Sequence, residues 1–97
     1  MWGGGDFMKP ITMLRQLQYK YDDNILQEII YCRDEIRGLK SQWFGYDDDE
    51  IESNIGDYLD EVYDSYKAPL VERGLISDSE FDRIYSIVEG IPGKIRL

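Results

Sequence analysis

Between Pro10 and Trp43 the apolar residues Leu14, Leu17, Tyr21, Ile25, Ile29, Cys32, Ile36, Leu39 and Trp43 recur every three or four positions. Such a stripe predicts one face of an α-helix. Pro10 suits a first helical position, because its missing N–H would have no partner there in any case. Asp22, Asp23 and Asn24 allow a turn with Asn24 capping a new helix. The stripe crosses them without losing phase, which favours a single helix over residues 10–41, about 47 Å long at 1.5 Å per residue.

Gly45 is the first strong stop, and Asp47, Asp48 and Asp49 sit where a second helix would begin. Carboxylates there face the unpaired N–H groups and the positive end of the helix dipole. Ile51, Ile55, Tyr58, Leu59, Val62 and Tyr66 then form one face of that helix. Pro69 is expected to end or kink it near Lys67. Residues 69–74 make a last short turn, with Gly74 as a left-handed cap. Ser77 and Glu80 have the spacing of a capping box, and Ile76 and Phe81 that of a hydrophobic staple. A third helix follows to about Glu89, with Phe81, Ile84, Tyr85 and Val88 inward and Gly90 and Pro92 as the stop. The expected fold is all-α: a small helical bundle with a long first helix, an acidic amphipathic second helix and a short third helix. It is one domain over residues 10–92, between a glycine-rich lead (1–9) and a short basic tail (93–97).

These lengths do not match. A long first helix facing two shorter partners leaves Leu14, Leu17 and Tyr21 uncovered, so they are expected to form a homodimer interface or to receive a partner helix.

Charge sharpens the picture. The 97-residue chain has a net charge of −9 and no histidine. Residues 41–66 hold nine acids and no Lys or Arg, whereas the rest of the chain holds eleven of each sign. The whole excess therefore lies in one segment. Direct binding to nucleic acid or to a membrane surface is disfavoured, since both are polyanions. No apolar run approaches the roughly 20 residues of a membrane span, and no apolar signal core precedes Pro10, so a cytoplasmic location is expected.

Little catalytic chemistry survives without histidine. Paired-carboxylate catalysis needs two acids in unlike environments, and these acids share one exposed face; no catalytic residue and no cofactor are expected. Cys32, the single cysteine, sits in the apolar stripe and reads as core. The run Tyr46 to Glu50 fails the calcium-hand pattern, because neither Asp47 nor Asp49 as first ligand places glycine sixth; no metal is expected.

Two functional readings remain. Glu50, Asp57, Asp60, Glu61 and Asp64 share one side of the second helix, over about 21 Å. With Phe44 and Tyr46, they would bind a protein with a basic surface, including one that handles nucleic acid. The chain would then be an inhibitor or adaptor, by analogy with small inhibitors from phages and mobile elements. Trp43, Phe44 and Tyr46 also read as the plug of the corner between helices. In addition, Trp43-Phe44-Gly45 resembles the W-x-G turn of the roughly 100-residue helical hairpins secreted by type VII systems, and Tyr85 with Glu89 fits that family's C-terminal Y-x-x-x-D/E signal. The resemblance implies two long helices that pair through the stripe of the first.

Overall fold

The computed structural model describes residues 9–43 and 45–97, and of Asp48 and Glu52 the backbone alone. The expected lead, except Lys9, and Phe44 lie outside the described residues. Among the described residues there are four helices: α1 (Pro10–Leu17), α2 (Asp23–Gln42), α3 (Asp48–Glu72) and α4 (Asp78–Glu89). The all-α expectation holds, with no strand among the described residues. The molecule measures 43 × 36 × 22 Å, so it is two helix diameters thick. α2 is its axis: α3 and α4 both pack on it, and α1 lies against α4.

The single long first helix is not formed. The break comes at Asp22, which is extended (φ −63°, ψ 142°), and its Oδ1 accepts from the Asn24 N–H at 2.8 Å. An aspartate side chain that can satisfy a free N–H two residues on competes well with helix continuation. Gln18, Tyr19 and Lys20 then form a tight turn after Leu17. The apolar phase survives because Tyr21, within the connection 18–22, is itself packed against the core.

The consequence is a correction to the expected interface. α1 folds back on α4, so Leu14 is fully buried and Leu17 nearly so, both inside the common core. They are not available to a second chain. Tyr21 is half-buried at the edge of the same core. The start of α1 meets the end of α4 closely; a Cβ on Gly90 would lie 3.2 Å from Pro10 Cγ.

Pro69 does not stop α3, which continues to Glu72. Pro69 is exposed and falls in the last helical turn, so its missing N–H removes one helical bond close to the end of α3 and leaves the earlier turns intact. The true stop is a Schellman motif. Gly74 adopts φ 73°, the Gly74 N–H donates to the Val71 carbonyl, and the Leu75 N–H donates to that of Leu70, both at 3.0 Å. At the start of α4, Ser77 Oγ accepts from the Glu80 N–H (3.2 Å) and donates to the Glu80 carboxylate (3.1 Å). Ile76 and Phe81 on either side of this cap are both buried.

The core contains a row that the single stripe does not reveal. Leu26, Ile30, Arg33 and Arg37 follow one another at spacings of four, three and four along α2. Arg33 is 1% exposed. Its guanidinium donates to the carbonyls of Val88, Ile91 and Gly93, each at 2.9 Å, and to Asp34 Oδ1. Arg37, one turn on, donates to the carbonyls of Glu89 and Ile91. Two cations thus close the C-terminal end of α4, where carbonyls point outward without helical partners. The segment after α4 is held by the same contacts, and Ile91 and Ile95 are buried in the core.

Candidate functional site: the acidic face of α3

Asp47 starts α3 by accepting from the Glu50 N–H at 2.8 Å. From that fixed start, the helical repeat of about 100° per residue places Glu50, Asp57, Asp60, Glu61 and Asp64 within an arc of roughly 100°. Ile55, Leu59, Val62, Tyr66 and Leu70 lie on the other side, toward the protein. All five carboxylates are exposed. Tyr58 stands beside them, 53% exposed. Tyr46, 52% exposed, stands at the corner before α3, its ring edge-on to Trp43 at 5.1 Å between centroids. Trp43 is half-buried in this corner, and Gly45 turns it with φ 96°.

No ion pair among the described residues involves the five carboxylates. The first base that follows them, Lys67, explains why. Its side chain is only 19% exposed, pairs with Asp82 (3.0 Å) and Asp78 (3.6 Å) of α4, and lies over the rings of Tyr63 and Phe81. Burial works against its charge, but the Asp82 hydrogen bond and the two carboxylates outweigh that and raise its pKa. Lys67 is therefore committed to joining α3 and α4 and offers nothing to the acidic face. Lys20 is paired with Glu80 (3.6 Å), again away from α3.

Of the residues expected to bind a partner, the structure brings together the five acids, leaves Tyr46 a turn away at the corner, and does not describe Phe44. Periodicity put Tyr58 on the inner face, yet it is exposed beside the acids. A further set was not anticipated: Glu28, Tyr31 and Glu35 form an exposed row on α2. Their spacing of three and four was visible, but only the pairing of α2 with α3 shows that they face Tyr66. Burial raises the Tyr66 pKa first, and Glu35 and Glu28 raise it further.

No group of three or more His, Cys, Asp or Glu placed to hold a metal ion occurs among the described residues. Cys32 is fully buried, and burial pushes its thiol up to about 12. Tyr85 is likewise pushed up to about 12, by burial and then by Glu89. No described helix is long and apolar enough to cross a membrane. No protein-family model matches the chain, and neither a curated protein nor a solved structure is detectably similar to it.

Proposed function

We propose that this chain is a non-catalytic interaction module, an inhibitor or adaptor that presents the acidic face of α3 to a basic protein surface inside the cell. The supporting observation is the row of five exposed carboxylates, unpaired among the described residues, on one arc of α3. The row extends for about 21 Å. Duplex DNA carries one charge per roughly 1.7 Å of axis, so the row is sparser than a phosphate backbone but matches it in sign and scale. A groove built for nucleic acid is a partner of the right kind. Long-range attraction would speed encounter, and exposed Tyr58 would add contact area once docked.

The test is capture of partners from the native host at low and high salt, with wild type beside the variant Asp57→Lys, Asp60→Lys, Glu61→Lys, Asp64→Lys. Binding that weakens steeply with salt and vanishes in the variant, at unchanged helicity, supports the reading. A partner retained equally by the variant rejects it.

One observation favours a second reading. α2 and α3 form a hairpin with Trp43 at its corner, one part of what the W-x-G resemblance implies, although the stripe from Leu14 to Ile36 that would pair is buried in the chain's own core. Under that reading, replacing Trp43 or Tyr85 blocks export or pairing, and the acidic face is silent. Tyr85 is buried, so its variant counts only where its unfolding midpoint matches that of wild type.

A further inference from the structure

α3 offers α2 two flanks, and the described residues fill one. On that flank Tyr63 packs against Phe81 and Tyr85 of α4, with ring centroids at 5.4 and 4.9 Å. Val62 lies about 100° around α3 from Tyr63, on the other flank, where no described helix lies. Two concavities of about 490 and 480 Å³ open there and meet at Tyr66. Ile25, Val62, Tyr66 and Leu70 line their apolar parts. Glu28 and Glu35 stand along the α2 rim, exposed and, among the described residues, in no ion pair. Tyr31, 51% exposed, lies between them on α2. Arg73 is the single base in the lining, at the far end.

We propose that this α2–α3 groove docks a basic amphipathic helix of a partner protein, whose apolar residues enter beside Tyr66 while Lys or Arg residues meet Glu28 and Glu35. The inference rests on the reading of the chain as a module for cationic partners, and it names the element such a partner supplies. Charge selects the occupant. A nucleic acid has the wrong sign. A second copy of this chain, at net −9, would set one acidic groove against another. The chain's own C-terminal segment is held at Arg33. From Ile25 to Glu35 the groove runs about 15 Å, which accommodates three turns of helix. A helix laid in such a groove presents apolar residues at i, i+4 and i+7, with its cations on the flanks.

Three fluorescent peptides of about four helical turns test this at low salt, by anisotropy. One has Leu at helical spacing and Lys elsewhere; one is its scramble; one is oligolysine of equal charge. Two variants act on the groove through exposed positions: Ser65→Trp, which fills it, and Glu28→Lys with Glu35→Lys. The α3 variant with Lys at 57, 60, 61 and 64 is the control, and all must match wild type in helicity. The expected result is that the amphipathic peptide binds wild type at least tenfold more tightly than the other two. Both groove variants lose that tenfold, and the α3 variant loses less than threefold. Equal binding of all three peptides, lost only in the α3 variant, overturns the groove and leaves the acidic-face reading standing. No binding of any peptide overturns both. Self-association of wild type in sedimentation, abolished by Ser65→Trp, also overturns the proposal, because the occupant is then a second copy.

Discussion

Arg33 brings a guanidinium into the core, and its three carbonyl partners all lie in residues 88–93. The planar fork of donors reaches several carbonyls at once, which a lysine ammonium on a flexible stem does less well. Arg33→Met should therefore cost about 1–3 kcal/mol, because the Gly93 carbonyl loses its donor, whereas the Val88 and Ile91 carbonyls keep the Ile91 N–H and Arg37. Arg33→Lys should recover only part of that. Urea unfolding gives the magnitude, and amide exchange gives the location: protection around Ile91 and Ile95 should fall first. A uniform loss of protection would show that Arg33 does not act through this segment. The buried acids of the core set a different dependence. Cys32 and Tyr85 are pushed up to about 12, and Tyr63 is raised by burial and by Asp82. In each case the unfolded chain releases its proton first, so the native state binds more protons once the ordinary pKa is passed. The stability they contribute is complete below about pH 9 and declines as pH rises toward 12. The slope is at most about 1.4 kcal/mol per pH unit for each group. Urea midpoints measured from pH 7 to 11 should fall from about pH 9 upward, and Cys32→Ala should flatten the earliest part of the fall.

Two helix ends decide the arrangement of the elements. Asp22 separates α1 from α2, and the Schellman turn at Gly74 separates α3 from α4. Asp22→Ala should cost about 1 kcal/mol, the usual value of an N-cap side chain. Leu14→Ala should cost about 2–5 kcal/mol, because Leu14 is fully buried where α1 meets α4. Chemical denaturation checks both, and an unchanged midpoint for Leu14→Ala would remove α1 from the core. The caps at Ser77 and Gly74 were legible in the sequence, as were the limits of α4, because each depends on residues within one turn. The separation of α1 from α2 was not. The stripe keeps phase across Asp22, because Tyr21 within the connection also packs on the core, so periodicity alone does not show the break. The end of α3 expected at Pro69 was misread for a related reason. Proline disrupts an interior helical bond, but how far the last turn extends depends on where Gly74 closes the helix. Arg33 was hidden because a charged residue in an apolar row reads as a break. Its burial needs five outward-pointing carbonyl bonds from α4 and its tail, shared with Arg37, and those exist only in the folded chain. The acids of α3 were legible as one face. Their lack of compensation was not, since it depends on Lys67 being drawn to α4.

For the whole molecule, the acidic face of α3 costs stability. Asp57 and Glu61, and Asp60 and Asp64, are four residues apart; Asp57 and Asp60, and Glu61 and Asp64, are three apart. Like charges at these spacings destabilise a helix by roughly 0.2–0.5 kcal/mol per pair, so the four pairs together cost about 1–2 kcal/mol at low salt. A face that served only solvation would lose nothing by alternating in a few lysines, and would gain i,i+4 pairs. Replacing Asp57, Asp60 and Asp64 with Asn should therefore raise the urea midpoint at low ionic strength. Added salt should raise that of wild type while leaving the variant nearly unchanged, because only wild type has this repulsion to screen. If the face binds a basic partner, the same triple variant should lose that binding, so stability and binding should move in opposite directions. Urea titrations at two salt concentrations, read beside a binding assay on the captured partner, test both halves at once. A variant that is more stable and still binds would mean that the repulsion has no function. A variant no more stable than wild type would mean that the carboxylates are too far apart or too well hydrated to repel, and the argument from uncompensated charge would fail with it.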